Sequence, residues 1–209
     1  MNLLIFGASG GTGRHLVEQA FAQGHGVTAF VRDPARLPIS HPDLRIIRGD
    51  VSDAGGVAES VAGQGAVLVA LGAPIPVRHY PALTEGLMHI VEAMERAGVR
   101  RLIYLSFIGV RESRRAGGFF IEYIASRLLR HSIADHEENE ARIRRSGLDW
   151  TIVRPPKLTD GSRTGAYRHG EAIRARSPFP TISRADVADF MLAQLTDRTY
   201  VRKAAAVMH

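Results

Sequence analysis

Three glycines at equal spacing, Gly7, Gly10 and Gly13, are the first residues in the chain suited to chemistry. They sit in Gly7-Ala8-Ser9-Gly10-Gly11-Thr12-Gly13, a run able to wrap an anion with backbone alone. Gly7 lets the chain turn out of a strand. Gly10 lets the backbone approach a pyrophosphate with no Cβ between them, and Gly13 lets a helix pack close to a sheet. The N–H groups around Gly11 and Thr12, with Ser9 beside them, would face the phosphates, aided by the helix dipole. No Lys-Ser or Lys-Thr follows, which argues against a nucleoside-triphosphate loop. About twenty residues past the glycines, an NAD site places Asp or Glu on the ribose 2′-hydroxyl, whereas an Arg accommodates the 2′-phosphate of NADP. Arg32 stands there, and Arg36 follows one helical turn on with a second forked donor set. Asp33 reads as a turn or cap residue, because Asp33-Pro34 suits a helix start. The expected cofactor is therefore NADP(H) in preference to NAD(H).

Other candidates fall at strand ends. Asp50 and Val51, in Gly49-Asp50-Val51, would lie beside an adenine; the competing reading is a turn in which Asp50 or Ser52 caps the next helix. Leu71-Gly72-Ala73-Pro74 breaks an apolar run with small residues, leaving room for a cofactor to cross the sheet edge at a topological switch point. Ser106, and Pro155 in Arg154-Pro155-Pro156, complete the expected cofactor contacts. For catalysis, a hydrogen bond from Ser106 and the charge of Lys157 would stabilise negative charge developing on an acceptor. The bland alternatives are a strand-end hydrogen bond and a solvated lysine. The nine histidines show no paired ligand spacing on one helix, so no metal is expected.

The elements that must position these residues alternate in type. Asn2–Phe6 reads as a buried strand, Arg14–Gln23 as a helix and Val27–Val31 as a second strand. Leu44–Ile47 and the continuous apolar run Ala66–Leu71 follow as strands, the latter central and buried on both faces. Tyr80–Ala97 is an amphipathic helix with Leu83, Leu87, Ile90, Val91 and Met94 on one side, stopped by Gly98. Arg101–Phe107 is the fifth strand. Phe119–Arg130 and Asp135–Ser146 read as helices, the second carrying Glu138/Arg142 and Glu140/Arg144 as mostly exposed pairs. Trp150–Val153 is the sixth strand. Ala185–Leu195 is the last helix, and a strand near Ala204–Met208 closes the sheet. The pattern predicts an α/β fold: a single Rossmann-type, doubly wound, mainly parallel sheet over residues 1–209. A small part of the substrate pocket would come from about 155–185.

Composition narrows the function. The 209 residues suffice for one core. No window is apolar enough to span a membrane, and the start reads as a folded strand rather than a signal peptide. There is no cysteine, which removes disulfides, thiol catalysis and thiolate metal sites. The formal charge is +6, but the arginines are scattered, with no basic–aromatic interleaving of a nucleic-acid site. A cytoplasmic monomer or homodimer acting on a small molecule, without nucleic acid or membrane, is the expectation.

Together these segments resemble the atypical short-chain dehydrogenase/reductases. The nearest resemblance is to the NmrA-like and flavin reductase/biliverdin-IXβ reductase branch. The resemblance rests on the glycine run and on Val31-Arg32-Asp33 with Leu37. It continues through Gly49-Asp50-Val51, the stretch Ser146-Gly147-Leu148-Asp149-Trp150-Thr151-Ile152-Val153-Arg154-Pro155, Thr164-Gly165-Ala166-Tyr167, and Ile182-Ser183-Arg184-Ala185-Asp186-Val187. It implies NADPH bound in an extended pose, with substrate over the nicotinamide beneath the C-terminal segment.

The departures are as informative. The group's usual Tyr-x-x-x-Lys, which lowers a phenol pKa for proton exchange with a carbonyl, is missing. The nearest approach is Tyr123 with Arg127, and Tyr123 reads as a packing residue. Where many atypical relatives carry Lys and Glu four residues apart, this chain has His136 and Glu140. Where the flavin-reductase branch has a pocket Ser and His, it has Phe107 and Lys157. Two functions fit: hydride transfer to a flavin, quinone or similar conjugated acceptor, or an NADP(H)-sensing module of NmrA type without turnover. Epimerase chemistry ranks lower, for want of the Tyr/Lys acid–base pair.

Overall fold

The computed structural model describes residues 1–72, 79–113 and 129–209. Ala73, Pro74, Arg114, Arg115 and the expected helix from Phe119, with Tyr123 and Arg127, lie outside those residues.

The first strand shows why the sheet is central. In β1 (Asn2–Phe6), Leu3 and Ile5 face one side while Leu4 and Phe6 face the other, and all four are fully buried. Residues at successive positions point to opposite faces of a strand, so a run this apolar needs cover on both. Next come α1 (Gly11–Ala22), β2 (Gly26–Val31), a 3₁₀ turn (Pro34–Arg36), β3 (Leu44–Arg48), α2 (Ala54–Val61) and β4 (Ala66–Val69). After them are α3 (Pro81–Ala97), β5 (Arg101–Leu105), α4 (Arg130–Arg145) and β6 (Asp149–Arg154). The remainder is β7 (Lys157–Thr159), β8 (Arg168–Gly170), β9 (Thr181–Ser183), α5 (Arg184–Ala193) and β10 (Lys203–Met208).

The main sheet runs β3-β2-β1-β4-β5-β6-β10-β8. Every neighbouring pair is parallel except β10 with β8. The first six strands take the order of a dinucleotide-binding sheet, with its switch point between β1 and β4. Leu16, Val17, Val187 and Phe190 bring α1 and α5 onto one face. Val57, Leu87, Ile90, Met94 and Ile143 bring α2, α3 and α4 onto the other. The expected α/β doubly wound fold is the fold observed.

Some boundaries differ for local reasons. The strand pairing of β4 and β5 stops at Val69 and Leu105, so Leu71 and Ser106 lie past the strand ends, where ligands bind such sheets. Asp53 caps α2, accepting from Gly55 N–H at 3.0 Å, in place of Asp50 or Ser52. Asp33 does cap the 3₁₀ turn, accepting from Ala35 N–H, with Pro34 following. The helix expected from Asp135 begins at Arg130, and its Glu140 is fully buried rather than exposed. The C-terminal strand does not close the sheet: β10 is an interior strand, and β8 forms the edge. Strands β7 and β9 make a separate two-stranded pair. No helix among the described residues is long and apolar enough to cross a membrane.

Candidate functional site

A cleft of about 340 Å³ opens at the C-terminal ends of β1, β2 and β4. Its floor is the glycine turn. Gly7 has φ +83°, a conformation side chains resist, and a Cβ there would strike the Ala70 carbonyl. A Cβ on Gly13 would strike the Gly7 carbonyl, so this glycine sets how close α1 sits to β1. Gly10 is the N-cap of α1 and provides no side-chain cap, so the N-terminal amides of that helix are left for a ligand. Thr12 and Gly13 are buried in its first turn, while Gly11 is exposed there.

The cleft wall carries the charges. Arg32, just past β2, and Arg36, in the 3₁₀ turn, both line it, as do Asp50 and Val51. Arg14 from α1 donates to the Arg36 carbonyl at 2.9 Å and steadies that turn. Asp50 accepts from the Ser52 N–H at 3.0 Å and hydroxyl at 2.9 Å. Those bonds, with a smaller pull from Arg32, hold its carboxyl below the usual aspartate range. The structure thus brings Gly7, Ser9, Gly10, Arg32, Arg36, Asp50, Val51, Leu71 and Gly72 around one cavity. A cradle closed to Cβ atoms, an uncapped helix N-terminus and two arginines with no acidic residue on the Arg32 position fit a dinucleotide phosphate chain. Tyr80, Ala82 and Leu83, from the start of α3, also line it and were not expected. Their signal in sequence is only that Pro81 opens a helix.

Leu71, Gly72 and Leu83 are shared with a smaller pocket of about 40 Å³. Tyr104 from β5 and Ser132, Asp135, His136 and Asn139 from α4 supply its polar lining. The Tyr104 hydroxyl lies 2.9 Å from His136 Nδ1, and Asn139 Nδ2 donates to that hydroxyl at 3.2 Å. Asp135 is held by His79 at 2.7 Å and by the Tyr80 N–H at 3.2 Å, tying α4 to the start of α3.

Ser106 and Lys157 are not brought together there. Ser106 is 6% exposed, and its hydroxyl donates to Glu140 Oε1 at 2.7 Å. Arg154 donates to the same carboxylate through Nε at 2.9 Å and Nη2 at 2.5 Å, and reaches Glu112 through Nη1 at 2.9 Å. This buried cluster joins the ends of β5 and β6 to α4. Pro155 is buried next to it, its carbonyl accepting from Ile108 N–H at 2.9 Å. Lys157 is exposed on β7, and neither it, Ser106 nor Pro155 lines the two cavities.

Comparison with known proteins agrees with this geometry. Residues 7–198 match the model of a family described as NAD(P)H-binding. A (4-alkanoyl-5-oxo-2,5-dihydrofuran-3-yl)methyl phosphate reductase from Streptomyces griseus is 26% identical over 98% of this chain and 67% of its own length. An uncharacterised chloroplastic protein of Arabidopsis thaliana is 29% identical over 78% of this chain, which spans 61% of that protein. Among solved structures, an anaerobillin reductase from Escherichia coli O157:H7 superposes with TM-score 0.81 at 22% identity, over 99% of this chain and 96% of that one. A short-chain dehydrogenase/reductase from Veillonella parvula gives TM-score 0.82 at 21% identity, over 99% and 93%. At such identities the superpositions speak to the fold. The family match covers the glycine turn, the arginine wall and the Ser-Gly-Leu…Arg-Pro segment alike, and the chain belongs to the NAD(P)H-binding family.

Proposed function

We propose that this protein is an NADPH-dependent oxidoreductase that reduces a conjugated, carbonyl-bearing acceptor such as a flavin or quinone. The observation that carries the reading is the junction of the two cavities. A cleft built for a dinucleotide meets, at Leu71 and Gly72, a pocket with polar residues and room for part of a second molecule. The named substrate of the Streptomyces relative, an alkanoyl-oxo-dihydrofuran, is a carbonyl compound too.

In this reading the glycine turn and the amides of α1 hold the pyrophosphate. Arg32 and Arg36 hold the 2′-phosphate, and Asp50 and Val51 border the adenine. The bound nicotinamide supplies the hydride, which needs alignment more than acid–base help when the acceptor is conjugated. Residues at the ends of β4 and β5 align the acceptor. Ser106 works at one remove, by holding Glu140 and through it α4.

Two titrations and one assay test this. Arg32→Ala removes a charge-assisted contact worth about 1.5–3 kcal/mol, so NADPH affinity should fall roughly 10- to 100-fold while NADH affinity changes little. Equal losses for the two cofactors would refute the 2′-phosphate assignment. The assay is steady-state NADPH oxidation with FMN, riboflavin and several quinones. Tight NADPH binding with no turnover against any of them would favour the sensor function instead.

A further inference from the structure

We propose that His136 presents its Nε2–H as a hydrogen-bond donor to the acceptor's carbonyl oxygen, with Tyr104 and Asn139 as the residues that fix its tautomer. The inference rests on the reductase reading for the identity of the ligand, but the arrangement of the three side chains stands by itself.

Asn139 Nδ2 donates to the Tyr104 oxygen, and in the proposed arrangement the phenolic proton goes to His136 Nδ1. A neutral imidazole that accepts at Nδ1 carries its proton on Nε2. Among the described residues, Nε2 has no hydrogen-bond partner, and His136 lines the small pocket. Burial holds the imidazole below the usual histidine range, against the opposing pull of Glu140 and Asp135. Burial also pushes the Tyr104 phenol well above the tyrosine range. Both groups therefore stay neutral, and the imidazole acts as a dipole rather than as an imidazolium. Such a donor, held in place by its neighbours, stabilises an oxyanion without reorganising.

The pocket has a second unmet demand. Asn139 is 6% exposed, and its Oδ1 is buried with no partner. Native interiors seldom leave such an atom unpaired without a ligand or water to meet it. This pocket, about 40 Å³, is far smaller than the adjoining cleft of about 340 Å³. The acceptor's ring system would thus stay in the larger cleft and send one oxygen inward.

The proton ledger is simple. Hydride addition places an electron pair on the carbonyl oxygen. His136 shares its Nε2 proton with that oxygen but keeps it, and water supplies the proton of the released product.

The test uses the whole protein loaded with NADP⁺, with 1,4-naphthoquinone as probe. Both are oxidised, so no turnover intervenes. ¹⁵N-resolved imidazole NMR should show the Nε2–H tautomer for His136 and a shift of that resonance on adding quinone. Tyr104→Phe should return the tautomer ratio toward that of a free imidazole. His136→Leu should weaken quinone binding about tenfold with NADP⁺ affinity intact. His136→Gln, which returns an amide N–H near the Nε2 position, should restore most of it. An Nδ1–H tautomer, a His136 resonance indifferent to quinone, or equal behaviour of the Leu and Gln variants would overturn the proposal. Failure of the reductase reading looks different: quinone would bind and shift His136, yet NADPH would not be consumed.

Discussion

Glu140 and Arg154 are held to each other by two hydrogen bonds in a fully buried site, and Ser106 adds a third bond to the carboxylate. Removing one member strands the other charge, at a cost of about 3–5 kcal/mol. Glu140→Ala should therefore lower stability by that amount in urea unfolding. Ser106→Ala loses one bond to a charged group and should cost about 1.5–3 kcal/mol. The two variants together should cost less than their sum, because they share a partner. Lys157→Ala should leave both stability and turnover unchanged, since its side chain is exposed and away from the cavities; a drop in turnover would return Lys157 to the site. These roles were poorly legible in sequence. Glu140 read as one half of an exposed helical pair with Arg144, because i,i+4 spacing says nothing about which side of a helix faces the sheet. The Ser106–Glu140 contact spans 34 residues and left no local trace. The place of Arg32 on the cleft wall was legible, because counting from the glycines puts it at the end of the second strand.

Helix α4 shows how an element can mislead. Its buried stripe is Ile133, Asn139, Glu140 and Ile143, at the spacing of an apolar face but with two polar members, and half-buried His136 lies beside them. A hydrophobic pattern therefore places the helix start late and its buried face wrongly. A polar stripe on the buried side of a helix is itself a mark of a site. The motif residues at the C-terminal side behave differently. Asp186, in the first turn of α5, accepts from the N–H groups of Thr164 and Gly165, from His209 Nε2 and from Ser183, the N-cap of that helix. The segments Thr164–Tyr167 and Ile182–Val187, which contribute to the family resemblance, thus meet through one carboxylate. On the same face of the sheet, α1 depends on Gly13. Gly13→Ala would drive a Cβ into the Gly7 carbonyl and should push the helix off β1, lowering stability by about 1–3 kcal/mol. NADPH affinity should fall with it, as isothermal titration would record. Strands β1, β2 and β4 were legible as continuous apolar runs, and α3 as a stripe at period 3.6.

For the whole molecule, pH is the sharpest probe. Burial alone would raise the Asp186 carboxyl, but the Gly165, His209, Thr164 and Ser183 donors outweigh it and hold it far below the aspartate range. A carboxyl depressed in the folded state gives its full stabilisation above its unfolded pKa and loses it as pH falls. Unfolding free energy should therefore decline steadily below about pH 4, the unfolded aspartate value. Asp186→Asn should flatten that decline while lowering stability at neutral pH. An unchanged acid limb in the variant would show that other carboxylates govern it. The strand order carries one more consequence, for the history of the chain rather than its rest state. Strand β10 is the penultimate strand of the sheet, paired by residues 203–206 with β6 some fifty residues earlier in the chain. Without those residues, β6 has no neighbour on that side and offers a bare row of amides and carbonyls. Such a row invites pairing with a neighbouring nascent copy. The strands that carry the cradle all precede β10 in sequence, so the side of β6 that β10 covers is paired by residues far from the cradle.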